Sequence, residues 1–220
     1  MNPMMNQVTP IEEAPSRISW LYKLSGAAAL AAGSLLLVAI ISLLTRALQT
    51  QTTGGLLWSL QNNWLIVIYK LLAGFSEVQS SLLRVLNVLD LAVLTLVGIL
   101  QIGLHFVLRR TSKVWSIIAL VLPFLGIVIF IATSTAGRSA VMGAVLVSSI
   151  VMLRTQMFKK PTAVIGILAS VLLFLGDFSV GFSPNPVIAV LFGFGYMLLI
   201  IWFFLIALKL FRLGSELFLR

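Results

Sequence analysis

The chain has 220 residues, of which 60% are hydrophobic and 10% are charged, and its formal net charge is +9 at pH 7. A soluble domain carries about 25% charged residues, so this composition excludes an ordinary soluble protein and indicates the bilayer as solvent. The absence of cysteine and the single histidine exclude disulfides, thiolate chemistry and multi-histidine metal sites. An excess of lysine and arginine is typical of the loops on one side of a membrane protein, so we do not expect nucleic-acid binding.

Residues 1–22 form a polar tail, and apolar runs follow it. The tail lacks the features of a signal peptide, so we expect the first apolar run to stay in the mature protein. A run of about 20 apolar residues crosses a bilayer as a helix. This predicts a membrane domain at 23–212 and a short cytoplasmic tail at 213–220, with spans at about 24–45, 86–108, 114–133, 139–153, 162–176 and 186–208. The fourth and fifth of these runs are short.

Only helices satisfy the backbone in lipid with connections this short, so the predicted fold class is all-α, a polytopic membrane helix bundle. With the N-terminus in the cytoplasm, eleven lysines and arginines fall in inner segments and four in outer segments. This imbalance predicts that both termini are cytoplasmic and that the number of spans is even. We expect a multi-pass protein of a cell membrane, such as a prokaryotic inner membrane.

A long outer segment joins the first two spans. An apolar face within it predicts an amphipathic helix at about residues 62–76, lying on the outer surface or over the bundle mouth. The alternative is that this segment runs into the second span as one long tilted helix.

The second span carries four polar groups on one face. Asn87, Asp90, Gln101 and His105 fall within about 60° of one another at 100° per residue, so this face is expected to point into the bundle. Counting back from Arg109 at about 1.5 Å per residue puts Asp90 near the outer edge of the hydrocarbon and His105 near the inner edge.

Two further charges are expected at the depth of Asp90. Arg138 begins the fourth span and Asp177 ends the fifth. With Asn87 and Asp90 they are candidates for an outward-facing pocket that binds a polar small molecule or a lipid headgroup, or relays protons. The alternative is a structural ion pair that holds helices together near water, where a charge costs less than at the midplane.

His105 is a candidate ligand for haem or chlorophyll, since imidazole suits both. The alternative is a hydrogen bond between helices near the inner headgroups. No second histidine is available as an axial partner and no CxxCH motif is present, so we predict no cofactor.

Catalytic signatures are missing from the sequence. It contains no HExxH, no GxSxG and no pair of carboxylates within one span, so we predict no catalytic residue and no metal site. Small residues at Gly26–Ser34, at Gly166 and Ser170, and at Gly193 and Gly195 predict close helix packing.

The order of features resembles one family. The segments YKLSGAAALAAG at Tyr22–Gly33, LNVLDLAVLTL at Leu86–Leu96 and KLFRLG at Lys209–Gly214 are similar to an uncharacterised prokaryotic six-span integral-membrane family, a domain of unknown function. The resemblance covers about Arg17–Gly214. It implies a six-span fold and carries no activity.

Two functions therefore remain open. The first is a non-catalytic structural or accessory component of a membrane assembly, with the lipid bilayer and other membrane subunits or a second copy as partners. The second is binding or transport of a small polar molecule or lipid through the outer pocket. A membrane enzyme is the least favoured class.

Overall fold

A computed structural model describes the backbone of residues 13–50, 80–133, 137–179 and 186–218. Side chains are described for 18–41, 91–131, 139–175, 191 and 193–216. Within these ranges the chain forms six helices and no strand: α1 (Glu13–Thr50), α2 (Ser80–Leu108), α3 (Lys113–Thr133), α4 (Gly137–Leu153), α5 (Lys160–Ser179) and α6 (Pro186–Phe218). The all-α prediction is confirmed. The predicted amphipathic helix at 62–76 lies outside the described residues.

Four helices are long and apolar enough to cross a membrane, in the segments Ile18–Ile41, Leu91–Leu108, Lys113–Ile131 and Gly193–Glu216. The apolar parts of α4 and α5 are shorter, at Ser139–Leu153 and Lys160–Leu175. Fifteen helical residues rise only about 22 Å, against a hydrocarbon core of about 30 Å. A membrane-embedded protein is therefore supported, while the six-span count stays a prediction.

The described turns are short and are closed by backbone hydrogen bonds. α2 closes where the amides of Thr111 and Ser112 donate to Leu108 O at 2.9 and 3.0 Å, and α3 opens where the Ser116 amide donates to Ser112 O at 3.1 Å. Residues 154–159 join α4 to α5, and Pro161 stands in the first turn of α5, where its missing N–H costs no helical hydrogen bond. Such short connections require neighbouring helices to run antiparallel.

The helices form a closed ring. Each packs on the next in chain order, α6 returns to pack on α1, and α2 also contacts α4 across the ring. The seam between α1 and α6, hereafter the α1–α6 seam, is fixed at one end by Ser19 Oγ, which donates to Gly214 O at 2.6 Å. Further along, a Cβ on Gly26 would lie 3.3 Å from Ala207 O and one on Gly33 would lie 3.2 Å from Phe203 Cβ. The predicted close packing of the small-residue first helix is confirmed at these positions.

Large apolar side chains fill the centre of the ring. The largest that are fully buried include Trp202, Phe203, Leu100, Leu104 and Leu173, from α2, α5 and α6. By contrast, α3 leaves most of its length uncovered: 28% of its apolar window is buried, compared with 56% in α2. α2 is therefore the inner element of the bundle and α3 the most peripheral of the four long apolar helices.

One end of the ring is strongly basic. The starts of α1, α3 and α5 and the ends of α2, α4 and α6 meet there, and we call it the basic end. Its described basic side chains are Lys23, Arg109, Arg110, Lys113, Arg154, Lys159, Lys160, Lys209 and Arg212, and Glu216 is the one acidic residue among the described side chains. This distribution has the form that the positive-inside rule gives to a cytoplasmic face.

Candidate functional site

The backbone carries the four predicted outer-pocket residues away from the basic end. Asn87 and Asp90 lie in the first half of α2, Arg138 is the second residue of α4, and Asp177 lies in the last turn of α5. The helices are neighbours, since α4 packs on both α2 and α5. The four side chains lie outside the described residues, so their clustering stays a prediction.

A small cavity lies about one helical turn deeper than Asp90 and Arg138. Its volume is about 40 Å³, and its lining comes from α1, α2, α4 and α6: Leu36, Val93, Leu94, Val141, Met142, Tyr196 and Leu199. Val93 and Val141 each follow the predicted pocket residue of their helix by three positions. The lining residues are apolar except for Tyr196. Ligand pockets usually measure about 300–1,000 Å³, so this space would take at most a very small molecule or part of one.

Deeper still, towards the basic end, a group of neutral polar side chains is buried among α2, α4, α5 and α6. We call Gln101, Ser148, Ser149, Ser170 and Trp202 the inner polar cluster, and each is 1% exposed or less. Ser148 Oγ donates to Gln101 Oε1 at 2.9 Å and so joins α4 to α2. The predicted inward orientation of the α2 polar face is confirmed for Gln101.

Gly166 is the point where the other members of the cluster meet. A Cβ built on it would overlap Ser149 Oγ and would lie 2.5 Å from Trp202 Nε1, so only glycine lets α4 and α6 place these polar atoms against α5. Ser170 Oγ donates to Gly166 O at 2.9 Å within α5. The predicted packing role of Gly166 and Ser170 is confirmed, whereas no atom of the described residues lies within 4 Å of a Cβ on Gly193.

Three donors of the cluster lack partners among the described residues. Gln101 Nε2, Ser149 Oγ and Trp202 Nε1 are buried and make no hydrogen bond. An unpaired buried polar group costs about 1–3 kcal/mol, and in the bilayer no bulk water is at hand to relieve it. Close packing alone does not account for three such groups on facing helices.

His105 lies one turn from Gln101 towards the basic end and joins α2 to α3. Ser116 Oγ is 2.7 Å from His105 Nδ1 and 3.2 Å from His105 O. Both contacts are satisfied if the hydroxyl donates to the carbonyl and accepts from Nδ1–H. His105 also packs edge-on against Phe106, whose ring lies 4.6 Å below the Arg109 guanidinium carbon. This arrangement matches the expected hydrogen bond between helices and adds no support for haem or chlorophyll at His105.

The Ser116–His105 contact also has the length of a nucleophile–base pair. Ser116 is 1% exposed, and no carboxylate among the described side chains orients the imidazole. A nucleophile must be reached by its substrate, so the pair is better suited to holding α2 against α3. In the described part of the chain no three His, Cys, Asp or Glu side chains are grouped as metal ligands.

Sequence reasoning missed two members of these contacts. Ser116 and Trp202 lie on helices other than α2, and no local spacing ties either of them to its partner. The sequence feature that could have identified them is a polar atom within an otherwise apolar helix, at the depth of the α2 polar face. Comparison with protein-family models, with curated proteins and with solved structures finds no match.

Proposed function

We propose that the protein is a non-catalytic integral membrane protein that serves as a structural or accessory component of a membrane assembly. The observation that carries this proposal is an apolar stripe on α3 that no described residue covers. Val114, Ile118, Val121, Leu125 and Val128 are all exposed and recur at alternating steps of four and three residues. This is the spacing with which one helix packs along another, and we call these residues the α3 stripe.

The filled interior supports the same proposal. Trp202, Phe203 and the buried leucines of α2 occupy the centre of the ring, and the cavity beside them measures only about 40 Å³. The described polar groups of the interior are hydroxyls, an amide, an indole and an imidazole. None of them forms an accessible acid–base or nucleophile–base pair, so an enzyme is not favoured.

The cysteine-free sequence allows a direct test of the α3 stripe. We would place one photocrosslinker through Val121→Cys and, as a matched control, through Leu168→Cys on α5. The two side chains are 51% and 49% exposed, and each lies eight residues from the start of its helix at the basic end. Irradiation in the native membrane should give a discrete protein adduct from position 121 and none from position 168.

The adduct mass separates the possible partners. A product of twice the chain mass would identify a second copy, and any other discrete mass would identify a different membrane subunit. Lipid adducts alone at both positions would contradict the assembly proposal, because lipid covers any apolar face equally well.

Orientation is part of the proposal: six spans, with both termini on the cytoplasmic side of a prokaryotic cell membrane. The basic end and the contact between the start of α1 and the end of α6 support it. Reporter tags at the two termini should both be found in the cytoplasm. Termini on opposite sides would rule out an even span count.

A second candidate function is binding of a small polar molecule or lipid headgroup at Asn87, Asp90, Arg138 and Asp177. It is favoured by the positions of these residues on neighbouring helices, away from the basic end, since α4 packs on both α2 and α5. Native mass spectrometry of Asp90→Asn should then show loss of a copurified molecule at an unchanged melting temperature. Retention of that molecule with a lower melting temperature would make the cluster a structural ion pair.

A further inference from the structure

The three unpaired donors of the inner polar cluster require an acceptor. Trp202 Nε1 and Gln101 Nε2 can only donate, and Ser149 Oγ has a proton to donate as well as lone pairs. In folded proteins such groups are regularly satisfied by an internal water that makes about three hydrogen bonds.

The local geometry brings two of the donors together. Ser149 Oγ and Trp202 Nε1 both lie against the position that a Gly166 Cβ would occupy, yet they make no hydrogen bond with each other. Because Gly166 has no Cβ, the hydroxyl oxygen and the indole nitrogen can both approach its backbone closely. Gln101 lies against the same part of α4 through its bond with Ser148.

We propose that Ser149, Gly166 and Trp202 form an internal binding site for a water molecule, which accepts hydrogen bonds from the Ser149 hydroxyl and the Trp202 indole. The site is a junction of α4, α5 and α6, and each of its residues is fully buried.

The charge of the surroundings decides in favour of water over an anion. All members of the cluster are neutral, and the nearest basic residues along the two helices are Arg154, five residues beyond Ser149, and Lys209, seven residues beyond Trp202. Neutral donors alone do not offset the loss of hydration of a bare anion in a low-dielectric interior. Water keeps two protons for further bonds and brings no charge.

The test is an NMR measurement of protein labelled with ¹⁵N at its tryptophans, in deuterated detergent. Replacing Trp20, Trp58, Trp64 and Trp115 by phenylalanine leaves one indole resonance, that of Trp202. This N–H should show a nuclear Overhauser cross-peak at the water frequency, although Trp202 is 0% exposed. Absence of the cross-peak would overturn the proposal.

Two variants separate bound water from a proton relayed by serine. Ser149→Ala removes the exchanging hydroxyl and enlarges the space, so the cross-peak should persist; its loss would mean that the hydroxyl alone caused it. Gly166→Ala puts a methyl group where the two donors meet, so it should push them apart and abolish the cross-peak. The matched control Gly193→Ala, on an open face of α6, should retain it.

A halide titration completes the test. The Trp202 indole shift should be the same at every chloride or fluoride concentration. A saturable shift would show an anion in the site and overturn the assignment to water. If Gly166→Ala does not fold, the unaltered site, Ser149→Ala and the titration still decide the question.

Discussion

Small residues bring helices into close contact at several places in this bundle, and two of these regions differ in how their polar atoms are paired. In the α1–α6 seam, Ser19 Oγ is paired with Gly214 O, and the contacts at Gly26 and Gly33 are with an aromatic ring, a backbone carbonyl or an aliphatic carbon. At the junction of Ser149, Gly166 and Trp202, two polar side-chain atoms face each other across a glycine and neither is paired.

This difference in hydrogen bonding distinguishes a contact that only packs helices together from one that can bind a molecule. A seam whose polar groups are satisfied needs no further explanation than helix association, which in lipid relies on van der Waals contact between closely spaced backbones. A junction that holds unpaired donors away from bulk water is costly unless something else accepts their hydrogen bonds. The seam therefore holds the ring closed, and the junction is the better place for a bound molecule.

The largest expected effect is the loss of the Trp202 side chain. Trp202→Ala removes a fully buried ring at the centre of the junction and should destabilise the fold by about 3–5 kcal/mol, seen as a lower midpoint of thermal unfolding. The matched control is Trp115→Ala on α3, whose side chain is half exposed and should matter little. Equal losses of stability from the two substitutions would show that the junction is not part of the stabilising core of the bundle.

A smaller effect is expected in the α1–α6 seam. Gly33→Leu forces a branched side chain against Phe203 and should cost about 1–3 kcal/mol through overpacking. Gly193→Leu makes the same change on an open face of α6 and should leave the unfolding midpoint close to that of the parent. If Gly33→Leu leaves the unfolding midpoint unchanged, close packing in the α1–α6 seam is not what holds the ring closed.

The sequence predicts the helices well because each depends on a local property, the run of apolar residues. It also predicts that Gln101 faces inward, since the spacing of polar residues along one helix fixes their shared face. The partners of that face were not predictable in the same way. Ser148 meets Gln101 and Ser116 meets His105 only because of the register between separate helices, which the spacing within a helix does not determine.

The outer pocket illustrates the same limit. Equal depth for Asp90, Arg138 and Asp177 follows from counting residues along each helix, but their grouping depends on rotations of three helices about their axes. The contact made by Trp202 was also not predictable from the sequence. Its aromatic side chain is expected in an apolar core, and only the packing of α5 against α6 brings its N–H to Gly166.

The smallest expected effect gives the finest comparison, between two adjacent serines. Ser148→Ala leaves Gln101 Oε1 without its donor and should destabilise the protein by about 0.6 kcal/mol, the average for a hydrogen bond between membrane helices. Ser149→Ala removes a hydroxyl that has no protein partner and donates only to the proposed water, so its unfolding midpoint should fall by less than that of Ser148→Ala. Both residues are fully buried on α4 and differ in position by one residue, so burial and helix propensity cancel between them. A larger loss from Ser149→Ala than from Ser148→Ala would mean that the Ser149 hydroxyl is paired within the protein, and the contrast between the seam and the junction would then disappear.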